Sequence, residues 1–178
     1  MINQEIYNES PTYCHYFFNL IEGNDLLVEL EKNLHDTLEL MRNVPADKQQ
    51  YAYQPGKWTI QQVLQHLVEC ERIFAYRALR FSRFDSTPLP GFEEDMYIDN
   101  SKGMQQSWEE LIHEFELVRK STIALFKTMS PEMLAFQSTA NDVAYSTRAL
   151  GFMIVGHALH HTQFIIKTYL MNFVIPTS

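Results

Sequence analysis

Apolar residues recur at three- and four-residue steps along most of the chain, which is the spacing of one face of an α-helix. Alternating apolar and polar runs, typical of half-buried strands, are scarce. Four stretches combine the helical spacing with a start or stop signal. The predicted helices run from Asn24 to before Pro45, from Thr59 to about Phe84, from Ser107 to Ser130, and from Ser146 or Thr147 to about Asn172.

Two of the predicted helices begin with a capping box. Thr59 is followed three residues later by Gln62, and Ser107 by Glu110, so each pair can satisfy the other's free backbone N–H. Strands are expected to play little part, and four helices that each carry one apolar face are most simply buried against one another. The sequence therefore predicts an all-α protein, an antiparallel four-helix bundle with long connections.

The length and composition fit one domain. The chain has 178 residues, of which 46% are hydrophobic and 20% charged, and this is an ordinary globular composition with room for a single core. We expect one helical-bundle domain over residues 1–178, with its core at about 24–172 and a peripheral segment at 1–23.

Charge and cysteine content exclude several classes of protein. Fourteen basic and 22 acidic residues give a net charge of −8, which repels a polyphosphate backbone and argues against nucleic acid as a partner. The N-terminus lacks a signal peptide and no run approaches the roughly 20 apolar residues of a membrane span, so we expect a cytoplasmic protein without membrane contact. Two cysteines without C-x-x-C spacing support neither a disulfide framework nor a thiol-based zinc site. A homodimer is compatible with surplus apolar helix faces.

Two histidines interrupt the apolar face of the last predicted helix. A buried polar group without a partner costs about 1–3 kcal/mol, so each imidazole needs a hydrogen bond or a metal. Residues four apart lie one turn apart on the same face, which lets two ring nitrogens converge on one cation. A single interior histidine is more often a core residue with a hydrogen bond, and His160 leaves open which two of the three histidines point inward. The face reads Leu150, Ile154, His157, His161, Phe164 and Thr168, which favours His157 with His161.

A catalytic metal site usually takes three protein ligands and leaves one position open. His66, at the edge of the apolar face of the second predicted helix, is the candidate for the third ligand. The metalloprotease motif H-E-x-x-H is not matched, because the segment from His157 to His161 has alanine where that motif has its glutamate general base.

These residues resemble the DinB-like metal-binding four-helix bundles, a family that includes bacillithiol transferases and related thiol-dependent enzymes. The resemblance covers roughly Asn24 to Met171 and rests on two motifs. It implies that His66, His157 and His161 are the three metal ligands, with water completing the shell, and that the activity is transfer or addition of a low-molecular-weight thiol or a thiol-dependent isomerisation. The motifs are Trp58-Thr59-Ile60 leading into Val63-Leu64-x-His66-Leu67, and Gly156-His157-x-x-x-His161.

We therefore expect a metal-dependent enzyme that activates a low-molecular-weight thiol or water for attack on a small electrophilic substrate. Zinc is the first expectation for the metal and nickel the second, because imidazole suits several first-row ions. A metal-dependent hydrolase is the nearest alternative. A non-catalytic metal- or small-ligand-binding protein is an alternative of another class, favoured if a fourth side chain closes the metal shell.

The later part of the second predicted helix carries four arginines that suit either an anion site or a solvated face. We favour the solvated face, because two glutamates on the same helix are available as partners. The arginines are Arg72, Arg77, Arg80 and Arg83, and the glutamates are Glu69 and Glu71.

Three other features allow a functional and a structural interpretation. Glu69 is a conceivable fourth metal ligand but is more simply an exposed carboxylate. Cys70, like Cys14, has no adjacent basic residue and suits a small core position better than a nucleophile. The acidic stretch at 92–100 is either a lid over a pocket or an ordinary connection.

Overall fold

The computed structural model describes residues 4–101 and 106–170, and within them the predicted four-helix bundle with long connections is confirmed. In chain order the elements are α1 (Gln4–Asn8), α2 (Cys14–Phe18), α3 (Leu26–Arg42), α4 (Ala46–Gln49), α5 (Ile60–Ser82), α6 (Glu94–Ser101), α7 (Trp108–Phe126), α8 (Pro131–Ala135), β1 (Gln137–Ala140), β2 (Val143–Ser146), α9 (Thr147–Phe164) and a π-helical turn (Ile165–Leu170) that continues α9. The long helices of the bundle are α3, α5, α7 and α9, and the short elements precede α3 or lie in the connections between the long helices.

The helix starts lie where the sequence signals place them. Thr59 and Ser107 both form the expected capping boxes, and the Ser146 hydroxyl accepts a hydrogen bond from Ala149 N at 3.0 Å. Helix ends were less well predicted: α7 ends at Phe126, one turn before the expected stop. The predicted end of the last helix, near residue 172, lies outside the described residues.

Two pairs of long helices run antiparallel. Trp108 Nε1, at the start of α7, donates to Met41 O at the end of α3, 3.2 Å away. The Tyr169 hydroxyl, beyond the end of α9, donates to Trp58 O just before α5 at 2.7 Å. Each of these helices therefore passes its neighbour in the opposite direction.

Helices α5 and α7, although consecutive long helices, run in the same direction. Gln61 at the start of α5 donates to Gln106 O just before α7 at 3.2 Å, and further along both helices Arg119 donates to Glu71 at 2.8 Å. A parallel neighbour requires a return connection as long as the bundle, and residues 83–107 supply it. This explains why the connection between α5 and α7 is long.

Residues 4–23 are not peripheral, which corrects the expectation for the N-terminal segment. Cys14 and Phe18 of α2 are at most 1% exposed and pack into the core around α9. The segment is also held by polar contacts, because Ser146 N donates to Glu9 O at 2.9 Å and Arg148 pairs with the Glu9 carboxylate. Helix α2 thus forms one wall beside the histidine-bearing face of α9.

Strands have a small but definite role that the sequence analysis underrated. β1 and β2 form an antiparallel hairpin whose turn residues, Asn141 and Asp142, both have positive φ, at 53° and 61°. That backbone suits a two-residue type I′ turn. Leu89 N donates to Thr139 O at 2.9 Å, so the long connection after α5 is attached to the hairpin edge.

The last helix has the length and apolar composition of a membrane span. Over Thr147–Leu170 the mean hydropathy of the most apolar window is 1.2, but 67% of that window is buried against the rest of the chain. A helix surrounded by other helices is apolar on all sides because every face is in the core. The burial therefore accounts for its composition, although the sequence analysis had found no candidate span.

Candidate metal centre

The three histidines singled out from the sequence lie together between α5 and α9. His66 Nε2 is 3.0 Å from His157 Nε2, and His161 Nε2 is 3.1 Å from the same atom. Helical spacing accounts for the His157–His161 pair, because the two residues are one turn apart on one face. The third imidazole reaches them from the antiparallel neighbour, with its ring centre 4.9 Å from each of the other two.

The nitrogen positions suit a cation better than hydrogen bonds. A ring nitrogen offers either one N–H or one in-plane lone pair, so His157 Nε2 cannot make two full hydrogen bonds at once. A cation can accept a lone pair from all three nitrogens. Zinc–nitrogen bonds of about 2.0–2.1 Å at tetrahedral angles set two ligand nitrogens about 3.3–3.4 Å apart, close to the contacts seen here.

Burial keeps the three imidazoles neutral, which is the form that binds metal. It lowers the pKa of His66 to about 4 and that of His161 to about 3, with neighbouring histidines adding to the effect. For His157 burial again lowers the pKa, well below the ordinary value, and the nearby imidazoles and Arg119 act in the same direction. At neutral pH the cluster presents lone pairs and no protons to be displaced.

His160 belongs to a different environment from its two neighbours in the sequence. Its Nδ1 is 3.0 Å from the Tyr16 hydroxyl, and its ring stacks on Phe164. It is half-buried, and its Nδ1 faces α2 rather than the cluster. The ambiguity among the three closely spaced histidines is therefore resolved in favour of His157 and His161 as the converging pair.

Gly156 is required by the close approach of α2 to α9. A Cβ at this position would lie 2.5 Å from Phe17 O, which no side chain tolerates without movement of the backbone. The approach brings the Phe17 ring to 6.0 Å from the ring of His157. The glycine of the Gly156-His157 motif thus lets an aromatic side chain shield the histidine next to it.

The structure supports neither Cys70 as a nucleophile nor Glu69 as a fourth metal ligand. Cys70 Sγ lies 3.5 Å from His66 Nδ1, and burial raises the pKa of the thiol to about 12, so it stays protonated at neutral pH. Glu69 is half-buried, and its Oε1 accepts a hydrogen bond from Gln65 at 2.8 Å. Among residues 4–101 and 106–170, the three histidines are the group of three or more possible ligands whose ligand atoms all lie within 4.8 Å of one another, and neither Cys70 nor Glu69 joins that group.

A cleft of about 440 Å³ opens onto the cluster, with all three histidines in its wall. Aromatic side chains form most of the remaining lining: Trp58, Phe17 and Phe74 lie nearest the imidazoles, with Trp58 4.9 Å from the His66 ring. The acidic stretch at 92–100 is not an irregular loop, because most of it forms α6, and Phe92 and Glu94 stand at the cleft. The site is therefore walled and partly apolar, with one side accessible.

Two sequence expectations about charged residues on α5 are corrected. Glu71 is not a surface partner for arginines on its own helix, because it is 3% exposed and pairs with the fully buried Arg119 of α7. Arg77 is not on a solvated face, because it is 4% exposed and lines the cleft. The remaining arginines follow the expectation of a polar surface: Arg72 pairs with Glu114, Arg80 with Asp85, and Arg83 is exposed.

The fold and the site together define a helical-bundle protein with a candidate three-histidine metal centre. Comparison of the sequence with family profiles matches residues 29–165 to the DinB superfamily. The match covers most of the chain, including all three histidines, and the chain belongs to the DinB superfamily.

Comparison with solved structures finds a similar fold at low sequence identity. YfiT from Bacillus subtilis, described as a probable metal-dependent hydrolase with an unusual four-helix bundle topology, matches with a TM-score of 0.71 at 16% identity. The match covers 80% of this chain and 83% of YfiT. At that identity the likeness establishes the fold alone. A search of curated proteins finds no match.

Proposed function

We propose that this protein is a metal-dependent hydrolase of small molecules, with His66, His157 and His161 holding one divalent ion at the base of the cleft. The observation that carries the proposal is the convergence of three neutral imidazole nitrogens beside a cleft of about 440 Å³. Zinc is the first candidate for the ion and nickel the second, because imidazole suits both.

The residues of the chain have separable roles in this proposal. The three histidines fix the ion from two antiparallel helices, so the site has the rigidity of the bundle core. Phe17, Phe74 and Trp58 exclude water from the ligand side chains. A divalent ion bound there lowers the pKa of a bound water and polarises a substrate oxygen, which is the chemistry that hydrolysis needs.

Two observations favour an enzyme over a non-catalytic metal protein. No fourth side chain from the described ranges joins the three histidines, and the cleft leads directly to them. Catalytic sites typically keep one position open, whereas structural sites use four protein ligands. The description of YfiT as a probable metal-dependent hydrolase supports the same choice.

Transfer of a low-molecular-weight thiol is the second candidate activity. It is supported by the resemblance of the two histidine motifs to thiol-dependent members of the family, and the same open position accommodates a thiol in place of water. We further propose a cytoplasmic location, where such thiols are abundant in reduced form.

The first test is the metal content of the purified protein by mass spectrometry. We expect about one divalent ion per chain in the wild type and none in His161→Ala, with helical circular dichroism retained. His160→Ala is the matched control, because its ring nitrogen faces Tyr16 rather than the cluster, and it should keep the ion. Equal metal content in wild type and His161→Ala would refute the site.

The second test separates the two activities. Metal-loaded protein is assayed with a panel of small esters, amides and lactones without thiol, and with chloro- or epoxide-bearing electrophiles in the presence of thiols. Hydrolysis that stops on chelation and returns with zinc supports the proposal. Metal-dependent activity only with an added thiol selects the transferase, and rates unchanged by chelation contradict both.

A further inference from the structure

Arg77 occupies an unusual position for a buried cation. It is 4% exposed, and its Nη2 donates to Pro90 O at 2.9 Å. The guanidinium lies 5.9 Å from the centre of the Phe74 ring and 5.7 Å from that of Phe92. Within the described parts of the chain, no carboxylate oxygen lies within 4.0 Å of a nitrogen of Arg77, so Arg77 forms no ion pair there.

The other buried arginine, Arg119, is paired with a carboxylate. Arg119 donates to the Glu71 carboxylate at 2.8 Å and to Asn33 Oδ1 at 2.6 Å. A buried charge is costly unless it is paired and hydrogen-bonded. Arg77 has one carbonyl and two aromatic faces instead, and burial lowers its pKa. Arg77 therefore lies in the wall of the cleft with no carboxylate partner among the described residues.

Arg77 faces the same cleft as the histidine cluster. His66 and Arg77 are eleven residues apart on α5, which is three turns or about 16 Å along the helix axis. Helical side chains lean toward the N-terminus, so the Arg77 side chain leans toward His66.

The cleft lining has one basic side chain that is charged at neutral pH, because the described lining holds no second lysine or arginine beside Arg77. Glu94 is exposed at the cleft. One planar guanidinium matches a singly charged carboxylate in a two-pronged contact, whereas a phosphate dianion calls for more donors.

We propose that Arg77 binds the carboxylate of the substrate, so that the cleft takes small aromatic carboxylates with the reacting group toward the three histidines. The apolar body of the ligand lies against the rings of Phe74 and Phe92. The placement of the reacting group rests on the proposed function, but the carboxylate site itself does not require a metal.

The test is calorimetric titration of metal-free protein with 3-phenylpropionate and with its uncharged amide. We expect the wild type to bind the acid about tenfold more tightly than the amide, and Arg77→Gln to lose that preference. Arg72→Gln removes a cation of the same helix that pairs with Glu114 outside the cleft, and it should keep the preference. No preference in the wild type, or its survival in Arg77→Gln, overturns the proposal.

A second measurement uses only the wild type, so its result does not depend on whether Arg77→Gln folds. The side-chain Nε–H signal of Arg77 in a nitrogen-15 spectrum should move on addition of 3-phenylpropionate and not on addition of the amide. An unmoved signal in protein saturated with the acid overturns the proposal.

Repeating the titration with zinc-loaded protein separates this inference from the proposed function. An acid preference that appears only with zinc and survives Arg77→Gln places the carboxylate on the metal, which overturns the role of Arg77 and leaves the metal site intact. An acid preference lost in Arg77→Gln, in a protein that holds no metal, supports the carboxylate site while refuting the metal-dependent function.

Discussion

Acidification of the metal-free protein from pH 7 to pH 5.5 should remove about 4 kcal/mol from its free energy of unfolding. The perturbation acts on His66, His157 and His161, which burial keeps unprotonated in the folded state, with pKa values of about 4 for His66 and about 3 for His161. In the unfolded chain each has an ordinary pKa near 6.5. The unfolded state therefore binds more protons, and stability falls as pH falls.

The magnitude follows from proton linkage. Between pH 7 and pH 5.5 an unfolded-state histidine goes from about one quarter to about nine tenths protonated, which stabilises the unfolded chain by about 1.2 kcal/mol. The folded imidazoles take up almost no proton in this range. Three such groups give about 4 kcal/mol, a large share of the 5–15 kcal/mol typical of a domain. Carboxylates contribute little, because they titrate near pH 4.

The assay is urea unfolding in the presence of a chelator at both pH values. The variant His161→Gln carries one titrating group fewer, so its loss of stability on acidification should be smaller by about 1.2 kcal/mol. Exposed His35→Gln is the control and should behave as the wild type. A free energy of unfolding that is constant between pH 7 and pH 5.5 would show that the imidazoles are solvated and would refute the buried cluster.

Three further predictions concern the same site and its supports. Zinc affinity, measured by competition with a chelator, should change less than about twofold between pH 7 and pH 5.5, whereas three imidazoles with ordinary pKa values would lose about 500-fold. Glu71→Gln should destabilise the fold by about 3 kcal/mol or more in urea unfolding, because it leaves Arg119 buried without its counterion. Gly156→Ala should lower the free energy of unfolding by about 1–3 kcal/mol, since the added methyl meets Phe17 O; an unchanged midpoint would contradict the close helix approach.

The fold was accessible from the sequence because its signals are local. Capping boxes and apolar periodicity are set within a few residues, and they located the starts of α5 and α7 at Thr59 and Ser107. Helix ends depend on packing as well as on local signals, and the predicted ends were accordingly late. The hairpin turn at Asn141-Asp142 had a local signal in two residues that tolerate positive φ, but its strands are too short for a clear alternating pattern.

The candidate site was also predictable from the sequence only where its signals are local. The spacing of His157 and His161 is local, and their place on a core face indicated that a third donor was needed. His66 was a candidate because it lies at the edge of an apolar helix face, and the motif resemblance then supported it. The sequence alone does not show which faces of two distant helices meet. The structure brings the three together, with His66 Nε2 and His161 Nε2 at 3.0 and 3.1 Å from His157 Nε2.

Arg77 could not have been distinguished from its neighbours by sequence, and the reason is physical. It recurs with Arg80 at a helical step of three, which suggests a single exposed face. Its burial arises from what covers it, namely Pro90 and Phe92 of the return connection. That connection is long because α5 and α7 run parallel, a property of the topology. The parallel arrangement of α5 and α7 therefore both lengthens their connection and buries Arg77 in the cleft wall. Because Arg77 and the three histidines line the same cleft, its charge influences which substrates can bind there.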